Sequence, residues 1–408
     1  MDVHLPLPLL AGLSPAQFMR RHWQKKPLLV RGAIADFKPL LSRAELFKLA
    51  ASEGVESRLI VKNGDKTAGG WRMKSGPFAP RGLPPVSKPG WTLLVQGVDG
   101  HHSAVHQLLQ QFRFVPDARL DDVMISYATP DGGVGPHFDS YDVFLYQASG
   151  QRRWRISQQK DLTLQSDVPL KILQNFEPEE EFLLEAGDML YLPPRYAHDG
   201  VAESTVDAHG RAQDCMTYSI GFKAPVQAEL TAELLHKLAE FGEDGDADSR
   251  SHHPPKMYRD PSQAATSQPA GLPAALITFA TDAVRQALND PLAIACALGE
   301  VMTAPKAQVW FEQTGDEWDI TANGQSLVLD AKTRMMYDAD HVFINGESYR
   351  AKGRDAQLMQ LLADQRALPA TTLAKASSGA LALLADWHAE GWMHLFMEQA
   401  GDKQRIKH

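Results

Sequence analysis

Cysteine is nearly absent, with two in 408 residues, Cys215 and Cys296. They lie far apart and match no zinc or thiol–disulfide spacing, which excludes a disulfide framework and makes a reducing compartment the expectation. Cys215 falls in an apolar run, 215–220, and reads as a buried core thiol. Long hydrophobic runs are missing too. No window approaches the roughly 18–20 apolar residues of a membrane span. The opening Met1-Asp2-Val3-His4-Leu5-Pro6 has neither a cationic start nor a continuous apolar stretch. A cytoplasmic protein without membrane association is therefore expected. Positive charge is in deficit: 41 Lys and Arg against 50 Asp and Glu leave a net charge of −9. That argues against direct nucleic-acid binding and leaves room for a basic protein partner. No internal repeat is visible. With 44% hydrophobic and 22% charged residues, the composition is that of a globular chain with ample core, long enough for two or three domains.

The chain changes character along its length. Ser14-Pro15 and Ser42-Arg43-Ala44-Glu45 have the form of helix starts, the second with capping-box spacing. From about residue 120 the pattern is β: short apolar or alternating runs at 123–128, 143–148, 153–156, 189–192 and 216–222. Turn chemistry separates them, as in 130–136, Ser149-Gly150 and Ala186-Gly187-Asp188. Short strands at this spacing predict an antiparallel barrel or sandwich. Residues 226–242 predict a helix with Leu230, Leu234, Leu235 and Leu238 on one face. An acidic, Pro-containing linker follows near 242–270, then a helical stretch over 275–301. Strands are predicted at 308–313, 318–321, 326–329, 335–337 and 341–344, with Asn345-Gly346 as a hairpin turn, and a helical tail over 355–400.

The chemistry concentrates in Gly135-Pro136-His137-Phe138-Asp139 and in His198. On an extended segment residues i and i+2 point to one side, so His137 and Asp139 can meet at one point. Residues 185–194 read as a turn, a short strand and a rigid Pro193-Pro194 exit that delivers His198 from a distant strand. Two histidines and one carboxylate with open coordination positions form the facial triad of non-haem iron(II) oxygenases. The other histidines, His101, His102, His106, His252 and His253, lie in looser contexts and read as solvated or structural.

The run from His137 to Arg155, with 22–27, 76–78 and 218–222, resembles the JmjC branch of the cupins. More narrowly, it resembles the bacterial ribosomal oxygenases that hydroxylate an arginine of ribosomal protein L16 (uL16). The similarity covers residues 5–225 strongly and the rest loosely. It implies a fold: a mainly β chain with α, in which a double-stranded β-helix (jelly roll) with an N-terminal helical region occupies 1–225. A helical, dimer-forming segment would occupy 226–301 and a small winged-helix-like α+β domain 302–408, the last as a scaffold or protein-docking module. It implies iron(II), 2-oxoglutarate and O2 as cofactor and co-substrates, uL16 as protein substrate, and a homodimer. 2-Oxoglutarate needs a cation for its far carboxylate. Arg152 is the candidate, because its planar fork binds a carboxylate bidentately. Arg153 and Arg155 are the neighbours that alternation places on the opposite face. Ser126, Thr217 or Ser219 would add a hydroxyl. Asp142 is placed outside the metal's ligands and facing an incoming cationic side chain, with 127–131 as the substrate rim. Alternatives within reach of the same motif are a cupin metalloenzyme that does not use 2-oxoglutarate and a JmjC-type N-methyl demethylase. A non-catalytic relic barrel is disfavoured by the intact triad.

Overall fold

The computed structural model describes residues 2–35, 37–62, 70–206, 209–244, 257–261, 270, 272–314 and 325–397. The chain forms two compact units, one built chiefly from Met1–Ala224 and the other from Pro225 onward.

The first unit begins with α1 (Pro15–Arg21), whose start is fixed by a Ser14–Gln17 capping box with Pro15 in the first turn. After β1 (Leu28–Val30) comes α2 (Arg43–Ala50), capped reciprocally by Ser42 and Glu45. Then follow β2 (Ser57–Lys62), β3 (Trp71–Ser75), β4 (Trp91–Val95) and α3 (Ser103–Gln110). The jelly-roll strands are β5 (Leu120–Ala128), β6 (Val143–Ser149), β7 (Arg152–Ser157), β8 (Glu180–Leu184), β9 (Met189–Leu192), β10 (Ala197–Ala202) and β11 (Cys215–Phe222). An eight-stranded sheet has the order β1-β9-β6-β11-β5-β4-β2-β3, and a three-stranded sheet the order β10-β7-β8.

Strand alternation explains how the large sheet is buried on both sides. Val123, Ile125 and Tyr127 of β5, Phe144 and Tyr146 of β6, and Tyr218 and Phe222 of β11 pack outward against Phe18, Leu46 and Leu108 of the helices. The alternate residues Val143, Leu145, Leu190 and Leu192 pack inward on Trp154, Ile156 and Leu184 of the small sheet. Burial on both faces is why these strands read as almost unbroken apolar runs. Polar residues on that inner face, Ser126, Thr217, Ser219 and Arg152, are thereby buried inside the barrel.

In the second unit α4 (Gln227–Asp244) is followed by α5 (Ala274–Leu288) and α6 (Pro291–Thr303). The single stretch expected at 275–301 is thus two helices. Pro291 offers no N–H to continue α5, Asp290 before it is extended, and its side chain caps α6 by accepting from Leu292 N at 2.9 Å and Ala293 N at 3.3 Å. Next come β12 (Gln325–Leu329), β13 (Met335–Tyr337), β14 (His341–Ile344), β15 (Glu347–Arg350), α7 (Gly353–Gln365), β16 (Ala367–Leu368), α8 (Ala370–Leu373), α9 (Ser378–Ala389) and β17 (Met393–Met397). Asn345 and Gly346 both have positive φ and make the two-residue β14–β15 turn.

Two further expectations change here. Residues 308–313 are irregular, and the strand predicted at 318–321 lies outside the described residues, as do 245–256 of the linker with His252 and His253. The tail is not helical throughout, because β17 pairs with β12 and closes a β16-β12-β17 sheet over Trp387, Leu384 and Leu362. Tertiary pairing overrides local pattern at these short segments.

Candidate active site

A glycine-rich turn carries the chain from β5 to the mouth of the barrel. Gly135 has φ +79°, and a Cβ there would stand 2.5 Å from Ile172 Cδ1. His137 then pairs with His198 of β10 through reciprocal backbone bonds, His137 N to His198 O at 2.9 Å and His198 N to His137 O at 2.8 Å. The two ring centroids are 4.2 Å apart, and His198 Nε2 is 3.6 Å from Asp139 Oδ2. One ligand atom from each of His137, Asp139 and His198 lies within 4.8 Å of the others, and this is the one such grouping among the described residues. His102 and His106 sit at and within α3, where His106 contacts Gln110.

Both histidines are oriented from behind. His137 Nδ1 donates to Gly135 O at 2.8 Å, and His198 Nδ1 donates to Tyr196 O at 2.9 Å. A carbonyl only accepts, so the proton sits on Nδ1 and each Nε2 lone pair is left to face a metal. Burial, followed by repulsion from His137, pushes the His198 ring down to about 4 despite attraction from Asp139, so this ring is neutral at physiological pH. Asp139 is held through its carbonyl, which accepts from Arg195 N at 2.7 Å.

Deeper in the barrel, β10 and β7 pair so that His198, Gly200 and Ala202 lie opposite Ile156, Trp154 and Arg152. Arg152 is 5% exposed, and its Nε and Nη2 have no hydrogen-bond partner among the described residues. A buried guanidinium left unpaired is costly and marks a place where an anion belongs. Its guanidinium lies 5.7 Å from the Trp154 ring. Four residues of strand separate His198 from Ala202, roughly 13 Å of backbone, a span that an arginine side chain and a five-carbon dicarboxylate fill together. Ser126 and Thr217 face each other on β5 and β11; Ser126 Oγ donates to Thr217 O at 3.4 Å and Thr217 Oγ1 to Gln147 Oε1 at 2.9 Å. Arg153 and Arg155 turn outward. Arg153 pairs with Glu181 at 2.6 Å and Glu203 at 2.7 Å, and Arg155 pairs with Asp199.

Two expectations fail. Asp142 does not face a substrate: it is fully buried and accepts from Tyr191 OH at 2.6 Å and Gln24 Nε2 at 3.0 Å, which ties the N-terminal segment to the barrel. It precedes β6 as the chain turns into the core, so its side chain is satisfied internally. The segment 127–131 is not a rim either at its start. Tyr127, Ala128 and Thr129 are buried, with Tyr127 packed edge-on against Phe47, because β5 extends to Ala128.

Three residues escaped the sequence reading. Tyr141, two positions after Asp139, has its hydroxyl pushed upward by burial and then by Asp139 and Asp122, against the opposing pull of Arg58, so it is a neutral hydroxyl. Trp154 is 4% exposed with its Nε1 unpartnered, and its ring lies 5.7 Å from that of His198. Gly200 leaves room for that indole, since a Cβ there would stand 2.6 Å from Trp154. Gly200→Ala is therefore expected to destabilise the protein by about 1–3 kcal/mol and to displace the wall between His198 and Arg152. Urea unfolding compared with the wild type checks this.

A jelly roll with two histidines and a carboxylate at its mouth is the architecture of the JmjC class of metal-dependent oxygenases. Residues 107–230 match the JmjC domain model, and residues 286–394 match that of the ROXA-like winged helix. The chain is 31% identical over 367 residues to the ribosomal protein uL16 3-hydroxylase of Escherichia coli K12, covering 88% of this chain and 91% of that one. It is 33% identical over 222 residues to a probable ribosomal oxygenase of Haemophilus influenzae, covering 53% and 52%. A solved structure of the E. coli ribosomal oxygenase YcfD in complex with cobalt and 2-oxoglutarate superposes with a TM-score of 0.74 at 29% identity, over 94% of this chain and 99% of that one. The chain belongs to the JmjC-domain ribosomal oxygenase family.

Proposed function

We infer that this chain is an iron(II)- and 2-oxoglutarate-dependent protein hydroxylase acting on an arginine side chain of ribosomal protein uL16. The observation that carries the reading is the pairing, inside one barrel, of the His137–Asp139–His198 cluster with a buried guanidinium whose Nε and Nη2 have no partner among the described residues. The donor set fits the group: two imidazole Nε2 lone pairs and one carboxylate for iron(II), and Arg152 for the far carboxylate of 2-oxoglutarate, with Ser126 on the facing strand. When bound, iron(II) with 2-oxoglutarate and O2 supplies the oxidant that inserts one oxygen atom into an unactivated C–H bond, releasing succinate and carbon dioxide. The protein's part is orientation. Gly135 O and Tyr196 O hold the two rings, Arg195 N–H holds Asp139, and the apolar inner faces of β6, β7 and β9 keep water from the interior. Tyr141, two residues after Asp139, offers an entering substrate a neutral hydroxyl. Succinate formation measured by NMR tests the reading: it should require iron, O2 and uL16 together, and no succinate under any of these conditions would overturn it.

The first unit is read as the catalytic part, residues 1–225, with 302–408 as a protein-docking module rather than a nucleic-acid reader. Residues 226–301 are read as a homodimer contact. No residue of α5 is buried, and Ile277, Val284 and Leu288 expose a stripe continued by Leu292 of α6. An exposed apolar stripe of this kind marks an interaction surface, here for a second copy of the chain. Light scattering should give twice the 45.0 kDa chain mass, and Ile277→Glu with Val284→Glu should give the monomer. No described helix is long and apolar enough to cross a membrane, and a ribosomal protein substrate supports reading the enzyme as cytoplasmic.

A further inference from the structure

Beside the metal-ligand cluster lies a second concavity that the reaction above does not use. It is a cleft of about 360 Å³ whose walls include Lys25, Lys160 and Arg195 among glutamines, Pro193, Pro194 and Tyr196, with no acidic side chain in its lining. Three cations line this one cleft of a chain of net charge −9, with Asp161, Glu177, Glu179 and Glu180 standing around its edge.

Its wall is continuous with the catalytic residues. Arg195 N–H bonds the carbonyl of Asp139, and Tyr196 O accepts from His198 Nδ1. Arg195 holds a left-handed backbone at φ +63°, a conformation a branched or long side chain adopts only when its surroundings impose it. The rigid Pro193-Pro194 pair before it and the bond to Asp139 impose it here, and the result sets the guanidinium over the Phe138 ring at 5.8 Å. Lys25 is partly committed, donating to Arg20 O at 2.7 Å. Among the described residues, neither Lys160 nor Arg195 is paired with a carboxylate.

We propose that this cleft is a substrate-specificity subsite, in which Lys160 and Arg195 take one carboxylate side chain of the protein substrate, an aspartate or glutamate a short distance in sequence from the hydroxylated residue. The proposal rests on the reading of the chain as a protein hydroxylase and adds a second anchor to it. The charge pattern favours a single carboxylate over a nucleic-acid backbone. Asp161, Glu177 and Glu179 flank the cleft, with Glu179 accepting from Gln158 N at 2.9 Å and Asp161 Oδ1 from Thr163 N at 3.0 Å. A polyanion passing over the cleft would meet these carboxylates, whereas one carboxyl group inserted between Lys160 and Arg195 would not. The apolar faces of Pro193, Pro194 and Tyr196 accommodate the methylenes of that side chain. The cleft thus docks an anion of the substrate beside the barrel that the hydroxylated side chain enters, and so fixes the substrate's direction.

The test is a charge-swap cycle on the full chain with recombinant uL16. Each Asp and Glu within about a dozen residues of the modified position is replaced singly by its amide or by Lys. Each uL16 variant is assayed against wild-type enzyme, Lys160→Glu and Arg195→Ala, for KM and kcat by intact mass and for Kd by interferometry. Lys160→Glu should weaken binding of natural uL16 about fivefold, with the change in KM rather than kcat. One substrate acid should account for it: its amide should cost wild-type enzyme a similar factor, cost Lys160→Glu nothing further, and its Lys replacement should restore binding to Lys160→Glu. If the factors multiply independently at every acid, or if Lys160→Glu and Arg195→Ala bind natural uL16 as the wild type does, the proposal is overturned. Charge dependence that appears only when ribosomal RNA is present would overturn it as well, in favour of a phosphate contact. Loss of coupling while wild-type enzyme still hydroxylates uL16 rejects the cleft alone. Coupling in Kd without hydroxylation rejects the reaction alone.

Discussion

His137→Ala is expected to abolish hydroxylation of uL16, lowering kcat/KM by on the order of 10³-fold or more, while leaving the fold intact. In the function proposed, the side chain supplies one of three ligand atoms, so its loss would remove both metal affinity and the fixed geometry of the open positions. The backbone bonds that join His137 to His198 at 2.9 and 2.8 Å belong to the main chain and survive the substitution. Cobalt(II) titration followed by visible absorption separates the two effects: the variant should lose the bound-metal spectrum at concentrations that saturate the wild type, with an unchanged circular dichroism spectrum. Activity within tenfold of the wild type would remove His137 from the metal's ligands.

Arg152→Met is expected to raise KM for 2-oxoglutarate by about 10²-fold or more, the usual consequence of truncating one partner of a buried, hydrogen-bonded charge pair. Arg152→Lys should fall between, since an ammonium keeps the charge but not the fork that grips two carboxylate oxygens. The same substitution should not destabilise the ligand-free protein. With Nε and Nη2 unpartnered among the described residues at 5% exposure, the guanidinium is a costly buried cation, and an apolar side chain of similar volume relieves that cost. Thermal unfolding with and without 2-oxoglutarate distinguishes the cases: the wild type should be stabilised by the co-substrate, and Arg152→Met should start at least as stable and gain nothing. A variant that loses stability without ligand and keeps its KM would mean that Arg152 is a structural residue.

What the sequence disclosed, and what it hid, follows from the range over which each signal acts. His137 and Asp139 are two apart on an extended segment, a local relation, and His198 is announced by the Gly187-Asp188 turn and the Pro193-Pro194 exit four residues before it. The capping residues Ser14 and Ser42, the Asn345-Gly346 turn and the outward direction of Arg153 and Arg155 are equally local, and each is found where the pattern places it. The role of Gly200 depends on Trp154 across a strand pair, and that of Tyr141 on its nearness to Asp122 from β5. Neither relation has any trace in neighbouring residues. Asp142 departs from its expected place for the same reason: its partners Tyr191 and Gln24 lie 49 and 118 positions away, beyond the reach of any local pattern. In the second unit, β17 is made a strand by β12 rather than by its own sequence.

The measurement closest to the central claim is the intact mass of recombinant uL16 after incubation with the iron-loaded enzyme, 2-oxoglutarate and air, followed by fragmentation to locate the change. The account predicts a gain of one oxygen atom on an arginine, dependent on 2-oxoglutarate and absent with His137→Ala. An unmodified uL16 alongside steady 2-oxoglutarate turnover, or oxygen incorporated equally without 2-oxoglutarate, would contradict it.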